Sequence, residues 1–502
     1  MRLPSLPTKQ VQRNFLAALG SVALVATATP AAAELDQSKL QADLQGIVDS
    51  YVAGAEGMLV PAGPVTSSMD GDEVVLTVPA LQFKTDEAEF NVPPVVIRLD
   101  DAGADRIGYK VMLPSEIVGM KTGPRPNTLT VKFGGQDISG VYRPSVKVFE
   151  RYLLRLENMS LSADDGALEL GSVVFDVTSD ETAPSDWVGV ANFAMTGVRV
   201  VGPNQQQIVS IGDFAANTSF DKFDLPAYTE LSERISGGNP MFGMPKVDEA
   251  AAKAAMAELV RRLPEMIDGA SGVFDMQMRG LDVAAVNSPA FKLETVLLKL
   301  GMAPDDAHYG LNLNLAVEEP TVDPAGSPVP PNLVPKRLVA EAGLRKLPVQ
   351  TVWQMVAEPL ERTVSGEMTP EEEKAAEDMM EMLPFAAMGM AAEAGSFGEI
   401  NSIVFEVGPA RLTAAGVAPL TPGMPEPPLR IQAQIAGLDA LVEEVQALPP
   451  QMRDQAMPVL VALKGLGKAE SVNGGIVYAY LVEQGEKGDI VVNGVGLEDL
   501  GK

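Results

Sequence analysis

No cysteine occurs anywhere in this chain, and histidine occurs once, at position 308. Without thiols there is no disulfide, no thiolate metal site, no cysteine nucleophile and no cysteine-attached haem. With one imidazole, histidine-dependent chemistry would have to pass through His308 alone. That residue follows Asp305-Asp306-Ala307. The run reads as a turn leading into a strand, with His308 a structural or surface residue rather than a metal ligand. Aromatic residues make up only 5% of the chain, too few for the girdles of a transmembrane barrel. Basic residues are also scarce, 38 against 67 acids, for a net charge of −29. Such a chain repels nucleic acid and anionic membrane surfaces.

Long apolar runs are missing after the first thirty residues, so no later segment reaches the length of a spanning helix. The start is different. Arg2, Lys9 and Arg13 precede an apolar stretch from Phe15 to Ala28, and Ala31-Ala32-Ala33 follows directly before Glu34. This is the layout of a Sec-type secretory signal over residues 1–33, with cleavage after Ala33. No cysteine follows the apolar run, so no lipid anchor is attached there. The expectation is a periplasmic protein of the cell envelope, with full secretion as the alternative. Loss of the three leader cations leaves 35 basic residues against 67 acids, a net charge of −32. The acids are spread along the chain, as on a solvated surface.

What the chain does contain points to an α+β fold. Leu40, Leu44, Ile47, Val48 and Tyr51 share one face of a helix near residues 36–53. The segment 34–225 then reads as a long, mostly antiparallel β-rich domain of roughly ten strands. Leu129-Thr130-Val131-Lys132-Phe133 is one clear alternation. Prolines 79, 93, 94 and 114 mark strand ends or edges.

The segment 226–335 is expected to hold helices followed by a strand–Gly-Leu-Asp–helix unit, and 336–502 a mixed α/β domain. In the latter, Thr369-Pro370-Glu371-Glu372 starts a helix with a cap, a first-turn proline and acids. The C-terminal module is the most legible part. Leu429 to Ile435 alternates as a strand, and Gly437-Leu438-Asp439 stops it. Leu438, Leu441, Val442, Val445 and Leu448 then form an apolar helical face. A second helix from Gln451 to Leu466 and a terminal β-hairpin complete the order. Phe274–Val286 (FDMQMRGLDVAAV) repeats the letters of Arg430–Val442 (RIQAQIAGLDALV), and Arg337–Val356 is a looser third copy. The order and the letters favour a repeat of strand–helix units.

The module Leu429–Leu497, through Arg430-Ile431-Gln432-Ala433-Gln434-Ile435 and the Gly437-Leu438-Asp439 that follows, resembles an uncharacterised family of exported proteobacterial proteins, a domain of unknown function. The strand Tyr109-Lys110-Val111-Met112-Leu113-Pro114 is similar to the earlier part of that family. The resemblance implies export and supplies no catalytic residue.

Motifs that could carry chemistry fail on context. Ser219-Phe220-Asp221-Lys222 and Lys121-Thr122-Gly123 stand in the wrong order for a serine acyl-enzyme. Gly465-Leu466-Gly467-Lys468 lacks the spacing and the hydroxyl of a phosphate loop and reads as a helix end. No catalytic set, cofactor motif or metal-ligand set is expected. Methionine is abundant, with 24 residues, five of them between Met379 and Met390. Core packing in an aromatic-poor protein is the first reading of this segment. An apolar groove, in which Met379, Met380, Leu383 and Met390 face a ligand, is the second. The functional expectation is a non-catalytic envelope protein that binds a lipid or another hydrophobic ligand. The alternatives are a periplasmic scaffold docking partner proteins and a carboxylate-dependent hydrolase.

Overall fold

The computed structural model describes residues 35–54, 58–84, 88–121, 127–164, 166–203, 206–236, 249–284, 290–323, 330–366, 368–420, 428–472, 474–485 and 489–496. The segment read as a secretory leader, with Ala33 as its expected cleavage point, lies outside them, as do Thr122 and Gly123 of the Lys-Thr-Gly motif. The protein is α+β and mostly antiparallel sheet. It divides into two compact units. The first runs to Ala270 and includes Ala357–Glu373; the second comprises Ser271–Val356 and Lys374 onward.

The first unit opens with helix α1 (Gln37–Gly54). Asp36 caps it, its Oδ1 accepting from the backbone N–H of Ser38 and Lys39 at 2.9 and 3.0 Å. Nine short strands follow: β1 (Leu59–Pro61), β2 (Thr66–Asp70), β3 (Glu73–Val78), β4 (Leu81–Lys84), β5 (Ala88–Val92), β6 (Val95–Asp101), β7 (Ile107–Met112), β8 (Glu116–Lys121) and β9 (Asn127–Lys132). Then come β10 (Gly135–Arg143) and four strands of up to 18 residues: β11 (Val148–Ala163), β12 (Gly166–Ala183), β13 (Asp186–Val201) and β14 (Gln207–Phe223). Helices α2 (Leu225–Ser236) and α3 (Glu249–Met266) pack together around the buried Leu231 and Met266.

Pairing explains where this core sits. One arm runs β2–β3–β6–β7–β10 and joins β11 along residues 148–157. The other runs β1–β4–β5–β8–β9 and joins the same strand at residues 160–162. The long β11 thus carries both arms on one edge. Alternation turns one face of each arm inward, and Leu76, Ile97, Val111, Ile117, Ile138 and Phe90 are buried there. α1 lies against β1 and β2, the free ends of both arms. Its Leu40, Leu44 and Val48 enter the core, as their spacing predicts. Its Gln45 accepts from the backbone N–H of Val65, between those two strands, at 2.6 Å.

The second unit is built from β15 (Ser271–Val283), β16 (Phe291–Asp305), β17 (His308–Glu318), β18 (Thr321–Val322), β19 (Pro335–Leu347), β20 (Phe397–Val407), β21 (Ala410–Pro419) and β22 (Arg430–Ala436). β23 (Lys468–Val472), β24 (Gly475–Gln484), β25 (Ile490–Val492) and β26 (Val495–Gly496) end it. α4 (Val349–Ser365) and α5 (Pro370–Ala394) are inserted between β19 and β20, and α6 (Leu438–Gln446) and α7 (Pro450–Leu466) between β22 and β23. The C-terminal module has the strand, two helices and hairpin read from its sequence, with one strand more, β23, which follows the second helix and pairs with β24. Strand β22 ends at Gly437, whose φ of 73° suits glycine, and a Cβ there would meet the Pro409 carbonyl oxygen at 2.1 Å. The two helices follow, and β24 pairs with β25 as a hairpin. Thr369 and Glu372 form the expected start of α5. Thr369 N–H donates to Glu372 at 2.8 Å and Glu372 N–H to the Thr369 hydroxyl at 3.3 Å.

The first copy of the suggested repeat departs from this pattern. Gly280-Leu281-Asp282 lies inside β15, and ETVLLKLGM is β16, paired with it from Gly272↔Met302 to Val283↔Phe291. Gly280 keeps a positive φ of 64°, yet the ladder continues past it. Partner strands on both sides of β16 hold this segment extended, whereas Gly437 has no ladder to continue. In the third copy Gly343-Leu344 is likewise mid-strand, and a helix follows after Pro348 as its letters suggest.

Two stability measurements follow. Ile97→Ala leaves a cavity in the core of the first unit and should cost about 2–5 kcal/mol in urea unfolding monitored on that unit. Tyr109 Oη is buried without a hydrogen-bond partner, so Tyr109→Phe should leave the urea midpoint unchanged or raise it.

Candidate functional site

The register of the second unit can be followed row by row, because directly paired residues in antiparallel strands point to the same side. Phe274 pairs with Leu300, Leu300 with Leu313, and Leu313 with Ala342. Ala342 pairs with Ile400, then Gly416, Ile431 and Val482 follow on β21, β22 and β24. The row two residues along runs Met276, Leu298, Leu315, Ala340, Ile403, Ala414, Ala433, Tyr480. The next runs Met278, Val296, Val317, Leu338, Phe405, Leu412, Ile435, Tyr478. On the other flank Met302, Leu311, Leu344, Gly398 and Ala418 make a fourth row. Every position in these rows is glycine, alanine or a larger apolar residue, except for the two tyrosine hydroxyls.

The opposite face is polar. Asp275, Lys299, Asn314, Glu341 and Ser402 form one of its rows. Charge pairs cross neighbouring strands there, Glu318 with Arg337 at 3.0 Å and Glu406 with Arg411 at 3.4 Å. Arg345 and Glu399 form a third pair on the same side. Water solvates this face well, and such half-exposed pairs add little to stability. The sheet is therefore amphipathic across eight strands.

Cover over the apolar face is uneven. At the β22–β24 end two helices lie over it. Leu438, Leu441 and Val445 of α6 and Leu460 of α7 are buried with Ile435, Tyr478 and Tyr480. The tyrosine hydroxyls find partners within this cap. Tyr480 Oη donates to the Leu463 carbonyl at 2.9 Å and Tyr478 Oη to Asp439 Oδ1 at 3.0 Å. Burial pushes the Tyr480 hydroxyl up to about 12. Lys464 Nζ stands 2.7 Å from Asp439, and together with Tyr478 it holds that carboxyl below its usual range. From β15 to β19 the face is open. Phe274 and Leu344 are 36% exposed, Leu311 and Leu313 38%, and Leu300 44%. These five are neighbours in two adjoining rows. Soluble monomers rarely leave contiguous large aliphatic side chains uncovered.

The long strands of the first unit repeat the pattern. Leu154 pairs with Phe175, Phe175 with Phe193, and Phe193 with Ala216. Leu156, Val173, Met195 and Phe214 make the neighbouring row. The reverse face carries Arg155, Ser172, Asp176, Asn192 and Asn217. The apolar residues of β13 and β14 in these rows are half-buried, in contrast to the buried residues of the two arms.

The residues singled out from sequence lie on α5. Met379, Leu383 and Met390 share one half-buried face of that helix, and Met380 is exposed. His308 opens β17, paired with Asp305 across the two-residue turn Asp306-Ala307, where Asp306 has a φ of 54°. Among the described residues no cluster of three acidic or histidine side chains is placed to hold a metal ion. Gly467 ends α7, and Lys468 begins β23. The sheet residues that dominate the open face were not singled out from sequence, although Leu311-Asn312-Leu313-Asn314-Leu315 announces a one-sided strand.

In comparisons with known proteins, the chain matches no family model, no curated protein and no solved structure.

The C-terminal cap should respond to acid. Asp439 has a depressed pKa in the fold, so its contribution is complete above the ordinary carboxylate range, near 4, and is lost as pH falls through the lowered value. Asp439→Asn should lower the thermal midpoint at pH 7 and shrink the difference between pH 7 and pH 3, read by tyrosine near-UV circular dichroism.

Proposed function

We propose that this protein is an exported, non-catalytic carrier of an alkyl-chain lipid in the periplasm. The observation that supports it best is the open apolar face from β15 to β19, continuous with four apolar rows and backed by a polar face. Acyl chains need no hydrogen bonds, and none is offered by the open rows. Eight strands spaced about 4.8 Å apart give the face a breadth of about 34 Å. The acyl region of one leaflet is roughly 15 Å deep, half of a bilayer's hydrocarbon core. The four open strands, β15, β16, β17 and β19, span about 14 Å of that breadth, close to the depth of one leaflet. The right-handed twist of a wide sheet wraps such a face around its ligand. The leader-like N-terminus supports export, and the acidic surface supports a freely moving carrier rather than one held to anionic lipid.

The test uses protein purified from the periplasmic fraction without detergent. Native mass spectrometry should show a chain starting at Glu34 with an added mass that extracts as lipid. Leu300→Glu together with Leu313→Glu should weaken binding of a fluorescent fatty acid at least tenfold, about 1.4 kcal/mol, with circular dichroism unchanged. A clean apo mass and no uptake of the fatty acid would sink the carrier reading.

A further inference from the structure

Helix α5 changes character along its length. From Glu371 to Glu381 the sequence holds six acids and one lysine; from Met382 to Ala392 it holds no charge at all. The uncharged part is apolar on two sides. Met379, Leu383 and Met390 make a half-buried face. Met382, Phe385 and Met388, at i, i+3 and i+6, make a second face that is 60%, 64% and 44% exposed. A Cβ built on Gly389, beside that second face, meets nothing within 4 Å. A helix apolar all round belongs in a core or against lipid.

Its position links it to the open sheet face. The exit of α5 is pinned at its base, where the Ser396 hydroxyl donates to the Lys346 carbonyl at 2.6 Å and Ser396 is fully buried. Two residues further on, Gly398 pairs with Leu344, which pairs with Leu311. The helix therefore leaves the sheet at the row where the exposed leucines stand. Eleven residues of helix span about 16 Å, close to half a bilayer's hydrocarbon thickness. No helix among the described residues is long and apolar enough to cross a membrane. A segment of this length lies in the headgroup boundary instead. The lack of lysine and arginine on it, and the acids before it, suit an uncharged lipid surface and oppose an anionic one.

We infer that Met382, Phe385 and Met388 form a contact site for the surface of a neutral lipid bilayer, placed beside the mouth through which a lipid reaches the sheet. The choice of lipid as occupant rests on the carrier reading above; the exposed stripe does not. Met382 and Phe385 enter the outer acyl layer, while the acidic first half of α5 stays in water. Contact of this kind brings the row of Leu311 and Leu344 to the membrane.

The experiment is flotation of the full chain with phosphatidylcholine vesicles, with native mass spectrometry on the same samples. The parent should float. Met382→Asp with Phe385→Asp should reduce the floated fraction at least fivefold while keeping the bound-lipid mass, which also shows that the variant folds. Phe385→Trp should still float and shift its emission to the blue on adding vesicles. A double variant that floats like the parent would overturn the inference. So would a parent that stays in solution and instead dimerises through Phe385, which would make the occupant a second copy. Phe385-dependent flotation of a lipid-free protein would sink the carrier reading and leave the contact site standing.

Discussion

Confinement of apolar side chains to one face of a very broad antiparallel sheet is the constraint on which the rest of this structure depends. Strand alternation creates the face, and register carries it from strand to strand without a charged intruder. Each apolar row then needs cover. The first unit meets the need at its start by folding two arms of short strands toward each other and placing α1 at their free ends. The second unit meets it at its end with α6 and α7. Between such covered ends each unit has strands whose apolar face is only partly buried.

The helices differ in the same way. α1 and α6 bury a regular stripe and have a polar remainder, so each is a lid for a core. From Met382 to Ala392 α5 carries no charge, and Met382 and Phe385 there are 60% and 64% exposed. Methionine suits both duties, because its unbranched thioether adapts to irregular apolar surfaces. The open sheet face and the exposed helix residues are linked through the Ser396–Lys346 base, as the proposed exchange of an apolar ligand with a lipid phase requires.

Several elements were legible from the residues. The α1 stripe, the alternation of β9, the Thr369–Glu372 cap and the strand–helix–helix–hairpin order of the C-terminal module all rest on contacts within a few residues. The Gly-Leu-Asp likeness misled at Gly280, because a glycine followed by apolar residues fits either a strand exit or a mid-strand position. At Gly280 the strands paired along β15 and β16 decide it, a ladder along both elements against one local preference. The candidate site was half legible. The Met-rich helix stood out by composition, while Phe274, Leu300 and Leu313 looked like ordinary core residues.

By itself the sequence determined the period of each strand, the caps and breaks of the helices, the absence of thiol chemistry and the acidic surface. These depend on residue type and on neighbours near in the chain. Only the tertiary structure decided that residues from eight strands align in apolar rows, and that α6 and α7 cover one end while β15 to β19 stay open. Alternation says which side chains share a face; whether another element lies over that face is a matter of long-range packing, which no local pattern encodes.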